Sequence, residues 1–160
     1  MKNKITILSA LFFLNIFFCS TAEAQWVKRY YVDDFGDKTD QSYESFSAKG
    51  TFSNSATDNS EASYTFIKDD GSLIINVYEY GSKLASEIDA TFETVKIKQP
   101  DENVVSIEKV FFTKSGKLFF NEASYTSVLE AMSKIGNYTM LFKRTGKYND
   151  STYKIKFSIE

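Results

Sequence analysis

Carboxylates are the side chains of this sequence with the most capacity for chemistry, and they concentrate in one stretch. The segment YVDDFGDKTDQSYESF, residues 31–46, holds five of them. Asp34, Asp37 and Asp40 are candidate calcium ligands, because calcium is bound by carboxylate oxygens. The acids are irregularly spaced, however, and Gly36 comes too early for an EF-hand loop. The sequence therefore favours a solvated turn that binds no metal over a calcium site.

The first 24 residues have the three parts of an export signal. Two lysines precede an apolar run over residues 5–18, and Ala-Glu-Ala at residues 22–24 is the pattern that signal peptidase cleaves. An uncleaved anchor would need a run of about 20 residues, and a lipoprotein would need a small residue just before Cys19. We therefore predict a periplasmic or secreted protein, a single β-rich domain over residues 25–160, with no membrane span after cleavage.

Missing residue types exclude many reactions from that domain. The chain has no histidine, and its single cysteine lies in the predicted signal peptide. A Ser-His-Asp triad, a thiol nucleophile and a His/Cys zinc site are therefore impossible. A pair of carboxylates, as in glycoside hydrolases, is still available, and Glu79 between two tyrosines is its best candidate. We predict a non-enzymatic protein without a cofactor, and a small carboxylate-dependent hydrolase acting on a glycan is the alternative.

A second candidate site is the polar segment GTFSNSATDNSEAS, residues 50–63. Its amide and hydroxyl groups could bind a sugar, with Phe52 or Tyr64 stacking on the ring. They could equally satisfy the backbone of a connecting loop, which the sequence favours. The predicted ligand-binding residues of this segment and of the later tyrosine-rich strand are Asn54, Asp58, Asn59, Tyr78, Glu79 and Tyr80.

The aromatic residues divide into a predicted core and a predicted surface. Tyr and Trp supply rigid area with a polar tip, so they suit both places. The predicted core residues are Trp26, Phe66, Phe142 and Phe157. The predicted surface contacts are Tyr30, Tyr31, Tyr43, Tyr78 and Tyr80.

Alternation of apolar and polar residues predicts strands along most of the chain. STYKIKFSIE, residues 151–160, should turn Phe157 inward and Lys156 outward, and Asp70-Gly71 should form the turn of a hairpin. A short strand is expected at residues 49–53. The period changes to helical near residues 125–135, with Ser124 or Ser127 as N-cap and Gly136 as the stop. These elements predict a mainly antiparallel all-β fold, a β-sandwich or an open barrel with one short helix, and the sandwich is favoured.

Several motifs together resemble a group of exported bacterial proteins without an assigned activity. They are the opening Trp26 followed by YVDDFGD, GTFSNSAT, VYEYG and the closing STYKIKFSI. The resemblance implies one β-rich exported domain and carries no catalytic roles. The order of strands, late helix and closing hairpin is also loosely similar to accessory proteins of bacterial secretion machines, which is an architectural likeness only.

The expected function is therefore that of an exported binding or accessory protein of the bacterial envelope. The expected partners are another envelope protein or a polar glycan. Nucleic acid is not expected, because the net charge is slightly negative and no basic stripe with interleaved aromatics occurs.

Overall fold

Ten strands and one helix form the part of the chain that the structure describes. The computed structural model describes residues 25–85, 89–147 and 149–160, so the predicted signal peptide lies outside the described residues. The strands are β1 (Val27–Val32), β2 (Lys38–Ser53), β3 (Ser60–Asp69), β4 (Ser72–Glu79), β5 (Lys83–Leu84), β6 (Thr91–Lys98), β7 (Val104–Phe112), β8 (Lys117–Phe120), β9 (Gly136–Arg144) and β10 (Ser151–Ile159). The helix α1 spans Glu122–Ala131.

The strands form one antiparallel sheet that closes on itself. Its order is β2-β10-β9-β6-β7-β8-β4-β3, and β3 pairs back onto β2. The mainly antiparallel all-β fold is thus confirmed, but the sheet is a closed eight-stranded barrel, and neither a sandwich nor an open barrel. The long strand β2 makes the closure, since it pairs with β10 near residues 49–53 and with β3 over residues 44–52.

Aromatic rings fill the interior of the barrel. Tyr153 stacks on Phe142 with 4.8 Å between ring centroids, and Phe46 stacks on Phe66 at 4.3 Å. In β10 the residues Tyr153, Ile155 and Phe157 are buried, and the lysines between them are exposed. The predicted alternation of this strand is confirmed, and with it the core position of Phe66, Phe142 and Phe157. Trp26 is partly buried against the same core, edge-on to Phe46.

The helix α1 connects the end of β8 with the start of β9 and packs Val128 and Ala131 against the core. The expected helix is confirmed, but its predicted boundaries are wrong. Asn121 is the N-cap, because its side-chain oxygen accepts a hydrogen bond from Ser124 N at 3.1 Å. The helix ends at Ala131 with Met132 as its C-cap, and Gly136 is the first residue of β9.

The hairpin β3–β4 is confirmed at the predicted turn. Asp69 pairs with Ser72, and Asp70 and Gly71 both have positive φ, 30° and 76°. Two-residue turns of this kind match the twist of the strands that they join.

The strand β2 is three times longer than the predicted strand at residues 49–53, because it begins outside the barrel. Its residues 38–45 pair with β1, and the last two of them, Glu44 and Ser45, also pair with β3 of the barrel. We call β1, the turn 33–37 and residues 38–45 of β2 the arm. Only Ser45 of the arm is buried, so no apolar alternation marks the strand there. Within the described ranges, no helix is long and apolar enough to cross a membrane.

Candidate binding surfaces

The turn of the arm uses its first carboxylate to hold its own backbone. Asp33 Oδ1 accepts hydrogen bonds from Phe35 N and Asp37 N, both at 2.9 Å, and Gly36 has a φ of 87°. The acidic segment therefore forms a tight turn immediately after β1, as predicted.

The candidate calcium ligands Asp34, Asp37 and Asp40 do not form a metal site among the residues that the structure describes. In these residues no three Asp, Glu, His or Cys side chains come together in a way that could hold a metal ion. That the turn binds no calcium stays a prediction, which a melting experiment can test.

The polar loop at residues 54–59 uses its side chains for its own backbone. Asn54 Oδ1 accepts from Ala56 N at 2.9 Å and from Thr57 N at 3.1 Å. Ser53 Oγ donates to Asp58 Oδ1 at 2.8 Å and accepts from Asn59 N at 2.9 Å. These bonds are typical of a connecting loop whose side chains satisfy its own backbone.

Glu79 lies at the same end of the barrel as this loop, and its carboxylate is bound by a buried core residue. Tyr153 Oη donates to Glu79 Oε1 at 2.6 Å. Burial raises the pKa of the Tyr153 phenol, and the hydrogen bond to Glu79 raises it further. The ring of Tyr80 packs edge-on against Phe52 at 4.9 Å. Tyr78 occupies the opposite face of β4, so the six predicted ligand-binding residues do not converge on one point.

Two buried charged residues at this end were not predicted. Arg144 is 4% exposed, and its Nη1 donates to Ala85 O at 2.7 Å. Glu93 Oε1 accepts from Thr91 Oγ1 at 2.6 Å and from Thr145 N at 3.0 Å. The inward alternation of β9 from Tyr138 onward could have revealed Arg144. These bonds tie strand ends and loops together, which is a structural role.

The arm exposes several large apolar side chains. The exposed fraction of Phe35, at the tip, is 92%, and that of Val32 is 65%. Tyr31 Oη donates to Asp69 in the β3–β4 turn, and this bond raises the pKa of the Tyr31 phenol. The Tyr31 ring also lies 5.0 Å from that of Tyr43. The arm is thus held against the barrel while its apolar groups stay in solvent.

A groove of about 490 Å³ runs along the base of the arm, over the outer face of β2. Arg29 Nε donates to Ser45 Oγ at 3.0 Å, which holds the guanidinium at the groove. The groove therefore presents hydroxyl, apolar and guanidinium groups side by side. The lining residues are Gln25, Val27, Arg29, Tyr43, Ser45, Phe46, Ser47, Thr65 and Ile67.

Three of the five predicted surface tyrosines, Tyr30, Tyr31 and Tyr43, lie together on the arm.

Comparisons with protein families, with curated proteins and with solved structures give no match for this chain.

Proposed function

We propose that this chain is an exported, non-enzymatic binding or accessory protein of the bacterial envelope, and that the arm is its binding surface for a partner protein. The observation that carries the proposal is the distribution of exposed apolar side chains. Eleven large hydrophobic residues of the described part are exposed, and five of them lie in residues 27–35. Such a concentration on one short segment is typical of an interaction site.

The residue types of the arm support a protein as the partner. Protein interfaces are enriched in Tyr, Trp and Arg. The arm presents Tyr30, Tyr31 and Arg29 on one strand, and Trp26 packs beside it. A packed aromatic barrel offers no comparable set on its interior, because those rings are buried against one another.

Two features of the arm indicate what kind of surface the partner protein presents. β1 lies at the edge of the sheet and pairs only with β2 among the described strands, so an extended segment can add to its free edge. The tip places the exposed ring of Phe35 among Asp33, Asp34 and Asp37. The complementary surface is an apolar pocket with basic side chains around it.

Site-specific photo-crosslinking in cells tests this proposal. Benzoylphenylalanine replaces Phe35 at the tip or, as a control, Phe92, which is 70% exposed on the barrel wall. We expect a discrete crosslinked protein from position 35 and none from position 92. The product is identified by mass spectrometry, purified and titrated. Phe35→Ser should weaken its binding by about 30-fold, the effect of losing a hot-spot contact of about 2 kcal/mol, and Phe92→Ser should not.

Equal crosslinking from both positions would contradict the proposal, and so would unchanged affinity of the Phe35→Ser variant.

The variant Glu79→Gln distinguishes a binding protein from the alternative function, a carboxylate-dependent hydrolase. Glu79 ends β4, whereas the arm touches the β3–β4 turn at the other end of that strand. A binding protein should therefore keep its affinity in this variant, whereas a hydrolase that uses Glu79 would lose its release of reducing sugar from glycans.

A further inference from the structure

Lysines of β10 and β6 form two rows across the outer wall of the barrel, on either side of β9. In one row Lys154 pairs with Leu141, which pairs with Lys96. In the next row Lys156 pairs with Thr139, which pairs with Lys98. Because adjacent strands are about 4.8 Å apart, lysines two strands apart are separated by about 10 Å. We call Lys96, Lys154, Lys156 and the central Leu141 the lysine face.

The lysines of the lysine face have no ion-pair partner in the part of the chain that the structure describes. Within the described residues, ion pairs form at three neighbouring lysines: Lys49 with Glu61, Lys98 with Glu102, and Lys143 with Asp150. The three lysines of the face are exposed, and no described carboxylate forms an ion pair with them. The whole chain has a net charge of −2, so this positive region is local and contrasts with the acidic tip of the arm.

The residue types of this face differ from those of a protein or nucleic-acid site. Protein interfaces are depleted in Lys and enriched in Arg and Tyr, and the chain's two arginines, Arg29 and Arg144, lie elsewhere. Single-stranded nucleic acids are bound by aromatic platforms, and the two rows contain no aromatic residue. What the face does combine is exposed lysines with a 38% exposed leucine between them.

We propose that the lysine face binds the surface of an anionic lipid bilayer. Lysine ammonium groups reach lipid phosphates as point charges, and an apolar side chain between them can enter the boundary of the acyl chains. Each lysine near an anionic membrane surface contributes about 1 kcal/mol, a factor of about five in partitioning. The three lysines of the face together should raise partitioning by about 100-fold. Such peripheral binding would hold the protein at a membrane while the arm engages its partner.

Vesicle flotation tests the proposal. The full chain is expressed, and the mass of each purified variant is measured to verify that all of them begin at the same residue. Each variant is then mixed with vesicles of phosphatidylcholine alone, or of phosphatidylcholine with an equal share of phosphatidylglycerol. We expect flotation only with the anionic vesicles, and a loss at high salt, where the screening length falls to about 3 Å. Lys96→Gln/Lys154→Gln/Lys156→Gln should lower partitioning by about 100-fold.

A matched triple variant, Lys83→Gln/Lys114→Gln/Lys117→Gln, changes the net charge equally at exposed lysines outside the face. It should bind almost like the unchanged protein. Leu141→Ser should cause a smaller loss, measurable at low salt, because it removes only the apolar contribution. Equal losses in the two triple variants would overturn the proposal, as would equal flotation with both kinds of vesicle. Binding to soluble polyglutamate or to single-stranded DNA without flotation would assign the face to an acidic polymer and overturn the lipid assignment.

Discussion

The strand β2 belongs to two regions that are built on different principles. Over residues 46–53 it is part of the barrel wall, and Phe46, Ala48 and Phe52 are buried in the aromatic core. Over residues 38–45 it belongs to the arm, where only Ser45 is buried. One continuous strand thus passes from a region held by burial to one held by a turn, by pairing with β1 and by a few polar contacts. Stability should therefore depend on the barrel residues, and the arm residues should be free for binding.

The largest test of this contrast is Phe157→Ala. Phe157 is 1% exposed and its ring stacks on Tyr138 at 5.4 Å, so the truncation should lower the free energy of unfolding by about 3–5 kcal/mol. Lys156→Ala, on the outer side of the same strand, should change it by less than about 0.5 kcal/mol. Denaturant melts of both variants measure this difference. Equal losses would mean that the wrong face of β10 has been placed inside.

Substitution of two glycines, one in the barrel and one in the arm, compares the two regions directly. A Cβ at Gly50 would lie 2.0 Å from the backbone oxygen of Lys154, so Gly50→Ala must push β2 away from β10. We expect a loss of about 3 kcal/mol, as in an overpacked core. At Gly36 a Cβ would meet nothing within 4 Å, and only its φ of +87° is unfavourable. Gly36→Ala should cost about 1–2 kcal/mol. Thermal melts that rank Gly36→Ala as the more harmful change would contradict the contrast.

Tyr153→Phe removes the hydroxyl that donates a hydrogen bond to Glu79 from inside the barrel. The free energy of unfolding should fall by about 1–3 kcal/mol near neutral pH, because a polar group at the edge of the core loses its partner. Urea melts measure the loss. Tyr31→Phe removes the corresponding bond of the arm to Asp69, and it should have a smaller effect because that pair is exposed. A larger loss from the arm variant would reverse our ranking.

Two buried tyrosines, Tyr64 and Tyr153, set an alkaline limit on stability. Burial raises the folded-state pKa of Tyr64 and Tyr153 above the ordinary value of 10.0. Above about pH 10 the unfolded chain therefore releases protons that the folded chain keeps. The stabilisation is complete below that pH and is lost as the pH rises, by up to about 1.4 kcal/mol per pH unit for each tyrosine. Tyr153→Phe should make the fall shallower in melts across this range, and parallel slopes would contradict it.

The smallest expected effect is that of metal on the arm. Calcium at a hundred times its dissociation constant would add about 2.7 kcal/mol to stability, a rise of several degrees in melting temperature. We expect equal melting temperatures in millimolar calcium and in EDTA, because Asp33 already holds the turn through its backbone. A reproducible rise that disappears in Asp34→Asn/Asp37→Asn would make the turn a calcium site.

Much of the secondary structure follows from local patterns of the sequence, and the errors have a common cause. The turn at Asp70-Gly71 and the inward face of β10 depend on residues next to each other in the chain, and both were predicted. The start of α1 was missed because three polar residues can cap it, and only packing decides that Asn121 does so. The arm half of β2 was missed because exposed strands carry no apolar alternation.

The candidate sites also divide into features that local sequence predicts and features that only the folded chain reveals. The sequence singled out residues 54–59 and Glu79 because of their residue types, but it contained no information on which hydrogen bonds they already make. Arg144 and Glu93 were overlooked because charged residues are seldom buried. The lysine face cannot be found along the chain, since Lys96 and Lys154 are brought together only by the pairing of β6, β9 and β10.

Four properties follow from the sequence alone: the absence of His and Cys from residues 25–160, the all-β class, the β3–β4 hairpin and the alternation of the last strand. Each of these depends on composition or on residues a few positions apart. Three features depend on the tertiary structure: the closure of the sheet, the extension of β2 into the arm, and the common face of the lysines of β6 and β10. Strand order depends on pairing between residues distant in the chain, and local propensity does not encode which strand becomes the neighbour of which.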